Sequence, residues 1–135
     1  CPSAVAEALQ LPEGRPVVRV RRVVRVNEQP IFTDWTYLAE PVGSLLLGAD
    51  LSDSIYRLIE SFGYPIRQGH QTLAAVAIAP ADARVLGVPP HTPGLQIERV
   101  TYVDPDRPIE YARAVYRGDL YRYRIDLRRK FPGEG

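Results

Sequence analysis

Lysine, methionine and cysteine are nearly missing from this chain, which holds one lysine, no methionine and one cysteine in 135 residues. Cys1 alone forms no internal disulfide, and neither it nor the two histidines has the spacing of a zinc site. No metal and no cofactor are therefore expected. The missing methionine extends to position 1, so the chain is read as a piece cut from something longer. No apolar run reaches the ~18 residues of a membrane-spanning helix, and the N-terminus lacks a basic-then-apolar signal. A soluble, cytoplasmic protein without membrane contact is the expectation. A charge excess is lacking too, since 17 Lys and Arg stand against 16 Asp and Glu. A nucleic-acid surface normally shows a clustered basic stripe, and DNA contact is assigned to none of these residues. Catalytic signatures are missing as well: no nucleophile with a placed base, no P-loop and no dinucleotide fingerprint. Nothing supports an enzyme.

What remains is the composition of a globular protein, 45% hydrophobic and 24% charged, with 13 prolines and 10 glycines that imply many short elements. The length fits one domain over residues 1–135. A short helix is expected from Pro2 to Gln10, stopped by Pro12 and Gly14. From Pro16 to Val26 the residues Val18, Val20, Val24 and Val26 share one parity, the pattern of a half-buried strand. A turn at Asn27 to Gln29 leads to a second strand from Ile31 to Leu38. Ser52 and Asp53 suit the start of a helix through Ile55, Leu58 and Ile59, which Gly63 ends. Pro65 opens a long strand to about Ala79, Pro80 to Gly87 reads as a helix, and strands are expected at Gly94–Val103 and Pro108–Arg117. Tyr121, Tyr123, Ile125 and Leu127 alternate with Arg122, Arg124, Asp126 and Arg128, which reads as a final strand.

Sliding the chain against itself aligns Ala8–Pro12 with Val85–Pro89, and Asn27–Ile31 with Asp104–Ile109. Each half is thus a helix, a proline-rich turn and a β-hairpin. Two such units are too few for a solenoid, so the expected fold is α+β: one antiparallel sheet with short helices packed on it.

Parity also exposes the candidate site. Arg22 shares the face of Val18, Val20, Val24 and Val26, while Arg19, Arg21 and Arg25 lie opposite. A guanidinium there must be paired, because desolvating an unpaired ion costs several kcal/mol. It either grips a carboxylate or phosphate or pairs with Asp34 across the hairpin, and the two readings are compatible. On the strand after Pro108 one face reads Glu110, Ala112, Ala114, Tyr116. Small residues between two hydrogen-bonding ones suit a ligand cavity, although a sheet surface covered by a helix gives the same pattern somewhat more often. His70, on the face of Ile66, Val76 and Ile78, is a further candidate contact, although a lone histidine there is more often a core residue. Ser54, in the helix opening Ser52-Asp-Ser-Ile-Tyr56, offers a hydroxyl near a helix start that capping by Ser52 or Asp53 does not require.

Taken in order, Arg21-Arg-Val-Val-Arg-Val-Asn-Glu-Gln-Pro30, Asp53-Ser-Ile-Tyr56, Phe62-Gly63, Leu86-Gly-Val-Pro89, Ile97-Glu-Arg99 and Tyr116-Arg-Gly-Asp119 resemble the UTRA domain. That is the effector-binding half of GntR-type transcriptional regulators of the HutC/FarR subgroup. The resemblance runs from about residue 2 to 130. It implies a chorismate-lyase-like fold, a preceding winged helix-turn-helix that this chain lacks, and a homodimeric repressor that releases operator DNA when a small metabolite binds. By position it carries an anion-binding arginine to Arg22, an acid to Asp34, a helix hydroxyl to Ser54 and a last-hairpin pair to Glu110 and Tyr116. Sugar-phosphate sensors of the family commonly have a second arginine two residues after the first, where this chain has Val24, and Asp34 stands where Glu is frequent. The effector class is therefore left as a carboxylate or a sugar phosphate. The alternative is a chorismate-lyase-like enzyme, since fold does not fix function.

Because charge is balanced and no recognition helix is present, this chain alone is expected to give no sequence-dependent shift of duplex DNA in a gel. A specific shift would place DNA contact inside these residues.

Overall fold

The valine and arginine alternation near the N-terminus forms strand β1 (Val18–Val26), which turns back into β2 (Gln29–Leu38). Asn27 and Glu28 both take positive φ, 50° and 66°, as a tight two-residue hairpin turn of the right hand demands. A bulge between Val24 and Arg25 then shifts the register, so Arg22 faces Asp34 across the pair. Turn and bulge together reproduce the register expected from a three-residue turn. The outward Arg19 and Arg21 lie over the ring of Trp35, 4.8 and 4.5 Å from its centroid.

The computed structural model describes residues 2–47, 49, 55–104 and 106–128. Helix α1 (Ser3–Leu9) precedes the first hairpin; α2 (Val42–Leu46), α3 (Ile55–Ser61), β3 (Gln68–Ala77), α4 (Pro80–Leu86), β4 (Pro93–Asp104) and β5 (Arg107–Arg117) follow it. The five strands form one antiparallel sheet in the order β1-β2-β5-β4-β3. The fold is α+β, as the periodicities require.

The internal repeat is visible in three dimensions. Helices α1 and α4 both end on a left-handed residue, Gln10 and Gly87, and both close with a backbone bond from the residue beyond it: Leu11 N–H to Ala6 O at 2.9 Å, Val88 N–H to Ala83 O at 3.0 Å. Each helix precedes a hairpin, β1-β2 or β4-β5. The hairpins meet through β2 and β5, and Val5 and Leu9 of α1 pack on Val100 and Tyr111, while Ala83 and Leu86 of α4 pack on Val115 and Ile78. Residues Tyr111 and Val115 lie on one face of β5. On the opposite face α2 and α3 bury Val42, Leu46, Ile55 and Ile59 against Leu38, with Val18 and Val20 beside them. No helix among the described residues is long and apolar enough to cross a membrane.

Two expectations are corrected. Helix α2 was not anticipated: it is a single turn with a glycine inside, opened by Pro41, and Glu40 accepts the Ser44 N–H and Oγ–H at 3.1 and 2.7 Å. Gly43 is required there because a Cβ would come within 2.8 Å of the Val18 side chain. Residues 121–128 form no strand. Their alternation is genuine, but a strand is defined by a hydrogen-bonded neighbour, and none of the five strands pairs with them. The expected helix start at Ser52 and Asp53 lies outside the described residues.

Gly94 is the second residue of β4, where three elements converge, and a Cβ there would stand 2.7 Å from Ile78 Cγ1 and 2.8 Å from the Tyr116 carbonyl oxygen. Since backbone cannot yield as a flexible side chain does, Gly94→Ala is expected to destabilise the fold by roughly 1–3 kcal/mol. A urea midpoint equal to wild type would contradict that.

Candidate functional site

The sheet register composes the site. On the face carrying α2 and α3, one cross-strand row runs Arg22, Asp34, Ala114, Ile97 from β1 to β4, and the next runs Thr36, Ala112, Arg99, Gln71 from β2 to β3. Rows on either side of these carry Phe32 opposite Tyr116, and Leu38 opposite Glu110 opposite Thr101. Alanines at 112 and 114 keep the middle low, and a cavity of about 130 Å³ lies over them, lined by Arg22, Phe32, Asp34, Gln71, Ile97, Arg99 and Tyr116. A second hollow of about 190 Å³ shares Arg22 and Arg99 and is closed by Ile55 and Tyr56 of α3. Both guanidiniums therefore line both hollows.

Each arginine is held by an acid. Arg22 donates from Nε and Nη2 to the two Asp34 carboxylate oxygens at 3.3 and 2.8 Å, the bidentate geometry in which guanidinium binds strongly. Arg99 donates from Nε to Glu110 Oε1 at 3.2 Å, and Thr101 Oγ–H reaches the same oxygen at 3.4 Å. A guanidinium has five N–H donors, so both retain N–H groups beyond these bonds. The Arg99 guanidinium also lies 4.8 Å above the centre of the Tyr56 ring.

Glu110 is fully buried, and burial pushes its carboxyl above the ordinary carboxylate value although Arg99 and the bonds from Arg99 and Thr101 pull it down. Burial, and then the Glu110 charge, push the Tyr56 phenol up to about 12. Tyr116 is likewise raised, by burial first and by the neighbouring Tyr121 second. Among the described residues the buried Thr36 Oγ1 and Glu110 Oε2 lack a hydrogen-bond partner, and both residues belong to this face of the sheet. Neither residue lines the two hollows, so these atoms lie behind the site rather than in it.

A family model described as the UTRA domain matches residues 1–122. The chain belongs to that family. It is 30% identical to the HTH-type transcriptional regulator Rv0792c of Mycobacterium tuberculosis, over 99% of this chain and 51% of that protein. It is also 30% identical to the HTH-type transcriptional repressor NagR of Bacillus subtilis, over 78% of this chain and 44% of that one. A solved structure described as the ligand-binding domain of a GntR-family regulator from Bordetella bronchiseptica superposes with a TM-score of 0.80, at 36% identity, over 95% of this chain and 82% of the other. The chain spans about half the length of the curated relatives it matches. This UTRA domain is thus homologous to the effector-binding domains of GntR-type transcriptional regulators.

Of the residues singled out from sequence, this UTRA domain brings Arg22, Asp34 and Tyr116 to one cavity and sets Glu110 beside it, behind Arg99. His70 is not with them. Its register partner is Val100, whose neighbours Arg99 and Thr101 both face the site, so strand alternation puts Val100 and His70 on the opposite face, in a cleft with Tyr102 and Tyr111. Its Nε2 lies 3.4 Å from the Tyr102 hydroxyl. Ser54 lies outside the described residues. Arg99 was missed as a site residue, yet Leu95, Ile97, Arg99 and Thr101 share one parity of β4. The misplaced-charge test applied to Arg22 would have found it.

Removing Arg99 leaves a buried acid without its cation. In the folded state Glu110 holds its proton more tightly than the unfolded chain does, so this group's contribution to stability is greatest at low pH and falls as pH rises from the ordinary carboxylate value through the raised one. Without Arg99 the folded value rises further and that window widens upward. Arg99→Ala is expected to cost about 3–5 kcal/mol near neutrality and clearly less near roughly pH 5. Urea unfolding at the two pH values checks this; a deficit independent of pH would refute it.

Proposed function

We propose that this domain senses a small anionic metabolite, a carboxylate or a sugar phosphate, for a GntR-type repressor of the HutC/FarR subgroup. One observation carries the reading: two guanidiniums, from different hairpins, border a hollow floored by two alanines. Arg22 and Arg99 hold the negative group, Tyr116 and Gln71 offer hydrogen bonds to the remainder, and Asp34 and Glu110 aim the two arginines. The resemblance adds the Ser54 hydroxyl. The relatives' names support a regulator, and the Bordetella structure's description supports ligand binding by the domain.

The charge count explains how such a site accepts an anion. With both acids ionised the two pairs are neutral, and an anion adds an uncompensated negative charge. Glu110, already shifted toward its protonated form by burial, can take up a proton to offset it. Operator binding then belongs to a winged helix-turn-helix outside these residues. The functional unit is a homodimer, since two-fold proteins match palindromic operators.

A thermal-shift screen of small carboxylates and sugar phosphates, followed by calorimetry, tests the reading. Arg22→Ala is expected to weaken the best hit by roughly thirtyfold to several thousandfold, the loss of a charge-assisted contact, with Tyr116→Phe weaker by less. A hit that is uncharged, or that binds Arg22→Ala as tightly as wild type, would overturn it.

A further inference from the structure

On the face of the sheet opposite the two arginine hollows, a cleft of about 440 Å³ opens between α1 and the strands β3 and β4. Its position follows from the helix pattern. α1 buries Val5, Ala6 and Leu9, which leaves Ala4, Glu7 and Ala8 on an adjoining stripe at i, i+3 and i+4 spacing. The two alanines keep that wall low, and Glu7 lines the cleft beside them. From the sheet come His70 of β3, Glu98 and Tyr102 of β4, and Tyr111 of β5. Small-molecule sites commonly measure about 300–1,000 Å³, whereas the hollows over Arg22 and Arg99, about 130 and 190 Å³, are each smaller. The cleft has room for a ligand of its own.

Its chemistry is the reverse of the arginine face. Two carboxylates line it, and no lysine or arginine does. Glu98 is half-buried; its Oε2 accepts the Tyr111 hydroxyl at 2.8 Å and its Oε1 the Gln96 amide at 3.1 Å. Neither bond brings positive charge, and both oxygens keep acceptor capacity. Burial, and then the bond to Glu98, push the Tyr111 phenol up to about 12, so the negative charge stays on Glu98. Arg113, which faces Glu98 across the ladder, turns instead to Gln96 at 3.3 Å and Asp82 at 4.0 Å. Among the described residues neither Glu7 nor Glu98 has an ion-pair partner. The Tyr102 and His70 rings, 5.9 Å apart, and the Tyr111 ring border the same space, and aromatic faces attract a cation lying over them. An organic cation fits better than a metal ion, since the described residues hold no group of three His, Cys, Asp or Glu able to bind one.

We propose that this cleft is a second small-molecule site, which takes a protonated primary amine with an apolar body. The ammonium group sits between Glu7 and Glu98 and donates to their carboxylates, while the carbon body covers Tyr102 and Tyr111. A primary ammonium has three N–H donors that a quaternary one lacks, and carboxylates with spare acceptor sites select for them. The site is separate from the anion site. Val100 and Tyr111 in the cleft alternate along their strands with Arg99, Thr101, Glu110 and Ala112, which face the other way. One layer of sheet divides the two, so an amine on one face and an anion on the other can be bound together.

The test titrates the chain with phenethylamine, and with phenethyl alcohol as its uncharged counterpart, reading amide proton–nitrogen spectra and calorimetry. The amine should bind with a dissociation constant of about 1 mM or tighter and shift amides of α1, β3 and β4. The alcohol should bind at least about tenfold more weakly, as loss of a charge-assisted hydrogen bond implies. Glu98→Gln, which keeps the side chain's shape, should weaken the amine by roughly tenfold, and the more exposed Glu7→Gln by about two- to fivefold. Ala4→Phe, at an exposed helix position, fills the cleft and should abolish binding with far-ultraviolet circular dichroism unchanged. Amide shifts confined to the arginine face, equal binding of alcohol and amine, or an affinity unchanged in both Glu98→Gln and Ala4→Phe would overturn the proposal. None of these titrations contains an anionic effector, so failure to find one and failure of the amine site are separate results.

Discussion

The pairing of β2 with β5 is the joint on which this structure depends. Among the described residues it is the only ladder between the two repeats, and its register sets Asp34 opposite Ala114 and Leu38 opposite Glu110. A slip of one residue would send every side chain of β5 to the other face. Glu110, Ala112, Ala114 and Tyr116 would then lie under α1 and α4, and the helix-packing residues Tyr111 and Val115 would face the hollow. Core and site are thus two readings of one register, which is why a site made of two hairpins needs no long loop to assemble it.

Two carboxylates near the middle of a sheet are expensive unless each has a cation, and the fold meets this by placing one arginine beside each acid. The two pairs are not equivalent. Arg22 and Asp34 sit directly opposite in one ladder and bind through two hydrogen bonds. Arg99 and Glu110 are diagonal, share one bond, and leave Glu110 Oε2 without a partner among the described residues. Burial therefore dominates at Glu110, whose proton affinity rises. Buried pairs of this kind seldom add net stability over apolar residues of equal size, so their presence on this face speaks more for a binding role than for holding the sheet together.

Much of this was legible in the residues because strands alternate with period two. That period places Arg22 among valines, opposes it to Asp34, and hollows β5 with alanines from the residues alone. The turn was misjudged by one residue and the register still came out right, because a bulge restored what the shorter turn removed. Arg99 is marked by parity alone, and only its pairing with Ala112 on β5 brings it to the hollow. Helix α2 is one turn long and contains glycine, too short for a 3.6-residue period to register. His70 was grouped by parity within its own strand, and only the pairing with β4 says which side of the whole sheet that parity occupies. Residues 121–128 show the opposite limit: a local pattern states what a segment can become, and without a hydrogen-bonded neighbour among the five strands it is no strand.

Val24 sharpens the chemistry of the proposed sensor. Two arginines two residues apart on one strand would stand about 6.6 Å apart along it and form a clamp rigid within a single hairpin. Here the position after Arg22 on its face is Val24, and the second guanidinium comes from β4, across the β2-β5 joint. An anion bridging Arg22 and Arg99 therefore contacts both repeats at once. Its binding energy is realised only while the two hairpins keep their mutual register, so a bound ligand stabilises the joint itself. With Tyr116 at the edge of the same hollow and Tyr121 against it, the stiffened joint is also the one from which the chain leaves the sheet.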